Sequence, residues 1–263
     1  MATIVEMINP LTGLPEQVDK LDHTAQEIDD AVDLAPQLSN PNLLDKWYFG
    51  NPVNQRNVSG TIDAVGYFLD RWKLVSGSVT IGSNGITLNG TIVQILETAV
   101  GTDVTASALT TEGVVVASYD NNSKTISLTG TGQTFVAAKL ELGSQQTLAH
   151  QENGVWQLNE IPDYGEQLGR CQRYYLQFNA YTKFIAQYID GNKVVFGLPV
   201  SMRTAPGMSG GWKIYTGFTE QTGFTLSAYQ TGNIIVVEAV KENHGLTSAW
   251  LGVNDIGILN ADL

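Results

Sequence analysis

The chain has 263 residues, of which 43% are hydrophobic and 15% are charged, and its net charge is −12. This acidic balance excludes a protein whose main partner is nucleic acid, because such binding needs clustered lysine and arginine. A single cysteine, Cys171, and three widely spaced histidines exclude a disulfide framework and a cysteine-based zinc cluster, so we expect no metal and no cofactor.

Residues 1–40 predict a helix that brings copies of the chain together. After Pro15, apolar residues recur at steps of three and four, which is the heptad pattern of a coiled coil. A helix this polar buries only one narrow stripe and needs a partner, either the β domain of its own chain or two or three copies of itself. The residues expected at the contact between copies are Leu14, Val18, Leu21, Ile28 and Val32.

Residues 41–168 predict an antiparallel β domain. Apolar and polar residues alternate along segments such as 78–81 and 125–128, and turn residues such as Asn89-Gly90 separate the segments. Short strands at this spacing are typical of a β-sandwich, here expected to be a jelly roll like that of carbohydrate-binding modules. Strands do not alternate with helices, which excludes a Rossmann or TIM-barrel enzyme.

Residues 169–263 predict a second, smaller β module. A short helix is expected near 164–171, and strands near 174–178, 193–196 and 233–237 follow it. The whole chain is therefore expected to be all-β with a short N-terminal α-helix.

No set of residues indicates catalysis, and we expect no enzymatic activity. The carboxylate pairs Asp63 with Asp70 and Glu238 with Glu242 are interpreted as surface charge. Ser209 lies in a glycine-rich segment that only partly matches a nucleophile elbow, and the segment is interpreted as a turn.

Two further polar features have simple structural explanations. Cys171 has no histidine nearby in sequence and is interpreted as a small buried hydrophobic residue. Residues 120–122 carry oxygen-bearing side chains suited to calcium, but an Asp-Asn-Asn run more often forms a hairpin turn.

Aromatic residues form two groups along the chain. Flat aromatic faces bind the C–H faces of sugar rings, but they also fill β-sandwich cores. The first group is expected in the core and comprises Trp47, Tyr48, Phe49, Tyr67, Phe68 and Trp72. The second group lies among Gly, Thr and Ser, and its candidate ligand-binding residues are Trp212, Tyr215 and Phe218.

Several separate motifs resemble those of phage tail-fibre and receptor-binding proteins. The opening set runs NLLDKWYF at 42–49, NPVNQR at 51–56 and GYFLDRW at 66–72. The closing set runs AKLELG at 138–143, PDYGEQL at 162–168, CQRYY at 171–175 and LPVSMRTAP at 198–206. The motifs occur in the family's order and span about 42–206, and their residues are expected to hold the fold.

This resemblance implies a homotrimeric protein of a phage tail or neck appendage. It is expected to attach to other virion proteins through its N-terminal region and to host surface polysaccharide through its tip. The net charge favours a neutral or zwitterionic polysaccharide. The alternative is an adaptor, collar or neck fibre that links virion proteins without contacting the host.

The expected location is the virion, after synthesis in the host cytoplasm. The N-terminal sequence has no basic start and no long apolar segment, so we expect no signal peptide. No apolar run approaches the roughly 20 residues that span a bilayer, so we expect no membrane insertion.

Overall fold

The computed structural model describes residues 5–8, 15–18 and 39–262 of the chain. Within these residues the protein is mostly β, with one short helix and several antiparallel sheets. The prediction of an all-β fold is confirmed. The jelly-roll connectivity stays a prediction.

The predicted N-terminal helix is wrong at its start. Residues Pro15–Val18 form a strand, β2, which pairs antiparallel with β1, Val5–Ile8. A proline is tolerated as the first residue of a strand, and β-branched residues favour strands, so the sequence suits a hairpin here. The other predicted contact residues, Leu14, Leu21, Ile28 and Val32, lie outside the described residues.

The first β module is built on one eight-stranded sheet. Its longest strand, β10, has 18 residues and pairs with β6 along its first half and with β7 along its second half. The strands are β3 Gly60–Ile62, β4 Gly66–Leu69, β5 Trp72–Gly82, β6 Gly85–Ile95, β7 Val104–Thr110, β8 Gly113–Val116, β9 Ser118–Asp120 and β10 Thr125–Leu142.

The core of this module contains most of the first aromatic group, as predicted. Trp72 is fully buried, and its indole N–H donates to the carbonyl oxygen of Lys46 at 2.9 Å. Phe49 packs edge-on against Trp72, with ring centres 5.3 Å apart. Trp47 and Phe68 are buried in the same core.

A hairpin and the helix connect the two modules. The hairpin consists of β11, Ala149–Glu152, and β12, Val155–Leu158. Helix α1, Tyr164–Gln172, follows, and the Asp163 carboxylate caps it by accepting from the backbone N–H of Glu166 at 2.8 Å. The domain boundary predicted between residues 168 and 169 falls inside this helix.

The second module is a second eight-stranded antiparallel sheet around its own core. The sheet is curled: β16 and β18 approach each other although they are not neighbours in the strand order. The strands are β13 Tyr175–Asn179, β14 Lys183–Ile189, β15 Lys193–Leu198, β16 Gly207–Thr216, β17 Thr219–Gln221, β18 Thr225–Thr231, β19 Ile234–Val240 and β20 Trp250–Asn260.

The glycine-rich segment 207–211 belongs to strand β16, so its interpretation as a turn is wrong. The strand is irregular there: its register with β20 shifts between Gly210 and Trp212. Gly210 has a φ of 90°, and a β-carbon on it would lie 2.0 Å from the Ile256 carbonyl oxygen. The glycines therefore permit a bulge inside a strand.

Candidate functional site

Trp212 belongs to the core, and its prediction as a ligand-binding residue is wrong. Its side chain is 7% exposed and packs edge-on against Phe178, with ring centres 5.3 Å apart. Its indole N–H donates to the Ile258 carbonyl oxygen at 3.4 Å. The alternation of β16 places Trp212 and Ile214 inside, and it leaves Lys213 and Tyr215 on the outer face.

Tyr215 instead stacks on Trp250 on the outer face of the second sheet. The two residues are paired across β16 and β20, and their rings lie 4.2 Å apart at an angle of 11°. Gly252, two residues along β20, makes room for both rings. A β-carbon there would lie 2.3 Å from Trp250 and 3.0 Å from Tyr215.

Phe218 extends this aromatic surface beyond the edge of the sheet. It lies in the turn between β16 and β17 and is 98% exposed. The indole N–H of Trp250 donates to the carbonyl oxygen of Gly217 at 2.9 Å, which holds the turn against the stack. We call Lys183, Tyr215, Phe218, Trp250 and Asn254 the aromatic ridge.

Polar groups border the rings of the aromatic ridge. The Tyr215 hydroxyl donates to the side-chain oxygen of Asn254. The ammonium of Lys183 lies 4.5 Å from the centre of the Trp250 ring, a cation–π contact. Exposed aromatic surface beside amide and ammonium groups suits the C–H faces and polar substituents of sugars.

Sequence reasoning missed Trp250, although the signal was available. Residues 250–254 read Trp-Leu-Gly-Val-Asn, in which Leu251 and Val253 are buried and the other three residues line the outer face. The same alternation in 212–215 would have separated the core tryptophan from the outward tyrosine once the strand was recognised.

Residues of the opening and closing motifs meet where the two modules join. The buried Arg71 is the centre of this contact. Its guanidinium donates to Asp45 at 3.2 Å and to the Ile95 carbonyl oxygen at 2.6 Å. Its carbon lies 3.4 Å from the centre of the Tyr174 ring, so the arginine of the first module stacks on a tyrosine that follows the helix.

A second arginine, Arg56, joins the two modules in the same way. Its guanidinium lies 3.9 Å from the centre of the Tyr175 ring and forms an ion pair with Asp262. Next to it, the Gln55 side chain donates to the Tyr175 carbonyl oxygen at 2.9 Å, and the Gln55 backbone N–H donates to Asp70 at 3.0 Å. One segment of the first module thus contacts both the first strand of the second module and the residue Asp262, which follows its last strand.

A third contact between the two modules is more exposed to solvent. The Tyr174 hydroxyl donates to Glu97 at 2.6 Å, and Arg173 pairs with the same carboxylate at 3.0 Å. Partial burial acts to raise the pKa of Glu97, but these two donors outweigh it and lower the pKa. Burial raises the pKa of the Tyr174 hydroxyl, which stays a donor.

The charged side chains beneath these links are deeply buried. Lys46 is 1% exposed, and its ammonium has no hydrogen-bond partner among the described residues. Burial lowers the pKa of Lys46 to about 7, although the nearby Asp70 acts to raise it. Asp70 is fully buried, so its interpretation as surface charge is wrong, and burial raises its pKa.

Cys171 is buried next to this cluster, as predicted. Burial and the charge of Asp70 raise the pKa of its thiol to about 12. A thiol with so high a pKa is a poor nucleophile at neutral pH.

We call the contact between the two modules, together with the buried charges beneath it, the junction network. Its residues are Asp45, Lys46, Arg56, Asp70, Arg71, Tyr174, Tyr175 and Asp262.

The Asp120 segment forms a turn, as interpreted from the sequence. One carboxylate oxygen of Asp120 accepts from the Asn122 backbone N–H at 3.0 Å, and the other accepts from the Ser123 hydroxyl at 2.7 Å. These hydrogen bonds lower the pKa of Asp120. Across the described parts of the chain, no group of three or more His, Cys, Asp or Glu residues is placed to hold a metal ion.

Comparisons with known proteins give no match: no family model, no curated protein and no solved structure is significantly similar to this chain. In residues 5–8, 15–18 and 39–262, no helix has the length and apolar character needed to cross a membrane.

Proposed function

We propose that this chain is a structural protein of a phage tail and that its second β module attaches the particle to polysaccharide on the host surface. The observation that carries the proposal is the aromatic ridge, in which Phe218, 98% exposed, lies in a turn next to the partly exposed, stacked rings of Tyr215 and Trp250. A single exposed phenylalanine is common, but one that lies next to other aromatic rings forms a larger apolar surface, which favours a binding role.

The junction network supports the structural half of the proposal. The motif residues that carry the resemblance to tail-fibre proteins lie together and hold two modules, which agrees with a scaffolding role for those positions. A weak sugar contact in the millimolar range contributes only about 4 kcal/mol. Three copies per fibre, as proposed for a homotrimer, raise the avidity without any new contact.

The test is binding of the full chain to purified bacterial surface polysaccharides and to whole bacteria. We expect Phe218→Ala and Trp250→Ala each to weaken binding about tenfold or more, because each removes ring surface from the aromatic ridge. Tyr164→Ala is the matched control, since Tyr164 is an exposed aromatic residue, 46% accessible, on helix α1. Unchanged binding by Phe218→Ala, which is too exposed to disturb the fold, would exclude the ridge as the receptor site.

The second candidate function is that of an adaptor between virion proteins. It is favoured by a groove of about 690 Å³ that borders β8, an edge strand of the first sheet. Val116, at the end of β8, is 92% exposed, and an exposed edge strand is a template for pairing with another chain. Binding to a virion protein that Val116→Lys abolishes, with no binding to any polysaccharide or cell, would select this function.

A further inference from the structure

The charge of the aromatic ridge differs from that of the whole chain. The ridge and its neighbours carry Lys183 and Lys213 against two carboxylates, Glu220 and Asp255, so their charges balance, whereas the chain has a net charge of −12. In physiological salt, charges further than about 8 Å are largely screened at an exposed surface. A ligand at the ridge therefore responds to these nearby charges, and to which of them are unpaired, more than to the net charge of the chain.

Lys183 is the lysine that is free to bind. Lys213 is paired with Glu220 at 2.9 Å, and Lys193 on the same sheet is paired with Glu238 at 3.2 Å. Lys183 has its contact with the Trp250 ring, and within the described residues no carboxylate or carbonyl accepts a hydrogen bond from its ammonium. All three of its N–H donors are available to a ligand.

Trp250 connects this free ammonium to the exposed phenylalanine. Its ring lies under Lys183, and its indole N–H binds the Gly217 carbonyl oxygen, directly before Phe218. A ligand on this surface can therefore reach the Lys183 ammonium over the Trp250 ring and the Phe218 ring at the turn that the same tryptophan holds. Ile185, paired with Trp250 on the neighbouring strand and 81% exposed, extends the apolar surface on the side of Lys183.

We propose that the aromatic ridge binds an acidic polysaccharide, with Lys183 pairing with the anionic group of one sugar while a neighbouring sugar packs on Phe218. This rests on the proposed function and names the class of polysaccharide that the site takes. It replaces the neutral or zwitterionic ligand expected from the net charge. Carboxylate and phosphate share the chemistry that an ammonium recognises, so the experiment includes both.

The experiment measures dissociation constants of the full chain for four probes at roughly 50 and 500 mM salt, a range over which exposed charges go from weakly to strongly screened. The probes are polygalacturonate, its methyl ester, a glycerol-phosphate teichoic acid and neutral dextran. We expect binding to polygalacturonate or to the teichoic acid that weakens as salt rises. We also expect binding at least tenfold weaker to dextran and, if the carboxylate is the recognised group, to the methyl ester.

The variant Lys183→Gln tests the contribution of the ammonium separately from that of the aromatic rings. We expect it to weaken binding of the acidic probe about tenfold. Lys241→Gln is the matched control and is expected to bind like the wild type. The Lys241 ammonium also lies over a ring, 5.5 Å from the centre of Phe224, but it donates to the Thr222 carbonyl oxygen at 2.8 Å.

Every other outcome rejects the acidic ligand, and the pattern of binding shows whether the proposed function is rejected with it. Equal binding to charged and uncharged probes, or unchanged binding by Lys183→Gln, rejects the acidic ligand and leaves the proposed function standing. Absence of binding to all four probes also rejects the acidic ligand, and the wider polysaccharide array then decides the proposed function. Binding of a virion protein that Phe218→Ala abolishes would reject both.

Discussion

Replacing Arg71 by alanine is expected to lower the free energy of unfolding of the first module by about 3–5 kcal/mol. Arg71 is 1% exposed and binds Asp45 and the Ile95 carbonyl oxygen while it stacks on Tyr174. The alanine variant leaves a carboxylate and a carbonyl without their buried donor and removes the stacked cation. Urea unfolding followed by tryptophan fluorescence measures the loss.

Arg170→Ala is the matched control for this prediction. Arg170 also approaches the Asp45 carboxylate, at 3.8 Å, but its side chain is 42% exposed. An exposed ion pair contributes about 1 kcal/mol or less, so its loss should hardly move the unfolding midpoint. Similar losses for the two variants would show that burial and stacking on Tyr174 add nothing to the role of Arg71.

The second large effect is a pH dependence caused by Lys46. Its pKa is about 7 in the folded protein and 10.5 when exposed, so between these values the unfolded chain binds the extra proton. The burial penalty of Lys46 is therefore complete below pH 7 and is relieved as pH rises toward 10.5. Relative to Lys46→Met, which has no such proton, the wild type should gain about 2 kcal/mol between roughly pH 7 and pH 9.

The comparison needs an Asp70 variant as well, because the charges of Lys46 and Asp70 interact. The wild type, Lys46→Met, Asp70→Asn and the double variant are unfolded in urea across the same pH range. We expect the pH slope to follow the presence of Lys46, whether position 70 carries the aspartate or its amide. Parallel pH curves for the wild type and Lys46→Met would mean that Lys46 keeps an ordinary pKa.

The fold class could be predicted because turn residues and alternation repeat along most of the chain. Both signals are local, and they determine strands without reference to what the strands pack against. The N-terminal helix prediction failed at Pro15–Val18 because a heptad spacing and a hairpin strand use the same apolar residues. Pairing with Val5–Ile8, which local periodicity does not contain, selects the strand.

The site was predicted in part, and the errors arise where a side chain's surroundings depend on more than local sequence spacing. Tyr215 lies on the outer face whereas Trp212 is buried, because the direction of each side chain depends on the register of a bulged strand; Phe218 is exposed because it lies in the turn after this strand. The burial of Asp70 was missed for a related reason. Its partners Gln55 and Lys46 come from other segments, and sequence spacing does not show that they meet.

The contacts of Arg56 indicate how the second module could be exchanged as a unit in evolution. The second module begins at Tyr175 and its last strand leads to Asp262, and Arg56 contacts both residues. Tyr175 and Asn260 are also paired in the sheet, so the chain enters and leaves this module at one place. Everything between these two points forms a cassette. Recombination that keeps Tyr174, Tyr175 and Asp262 would exchange the whole second module, including the aromatic ridge, while the first module and its packing stay unchanged.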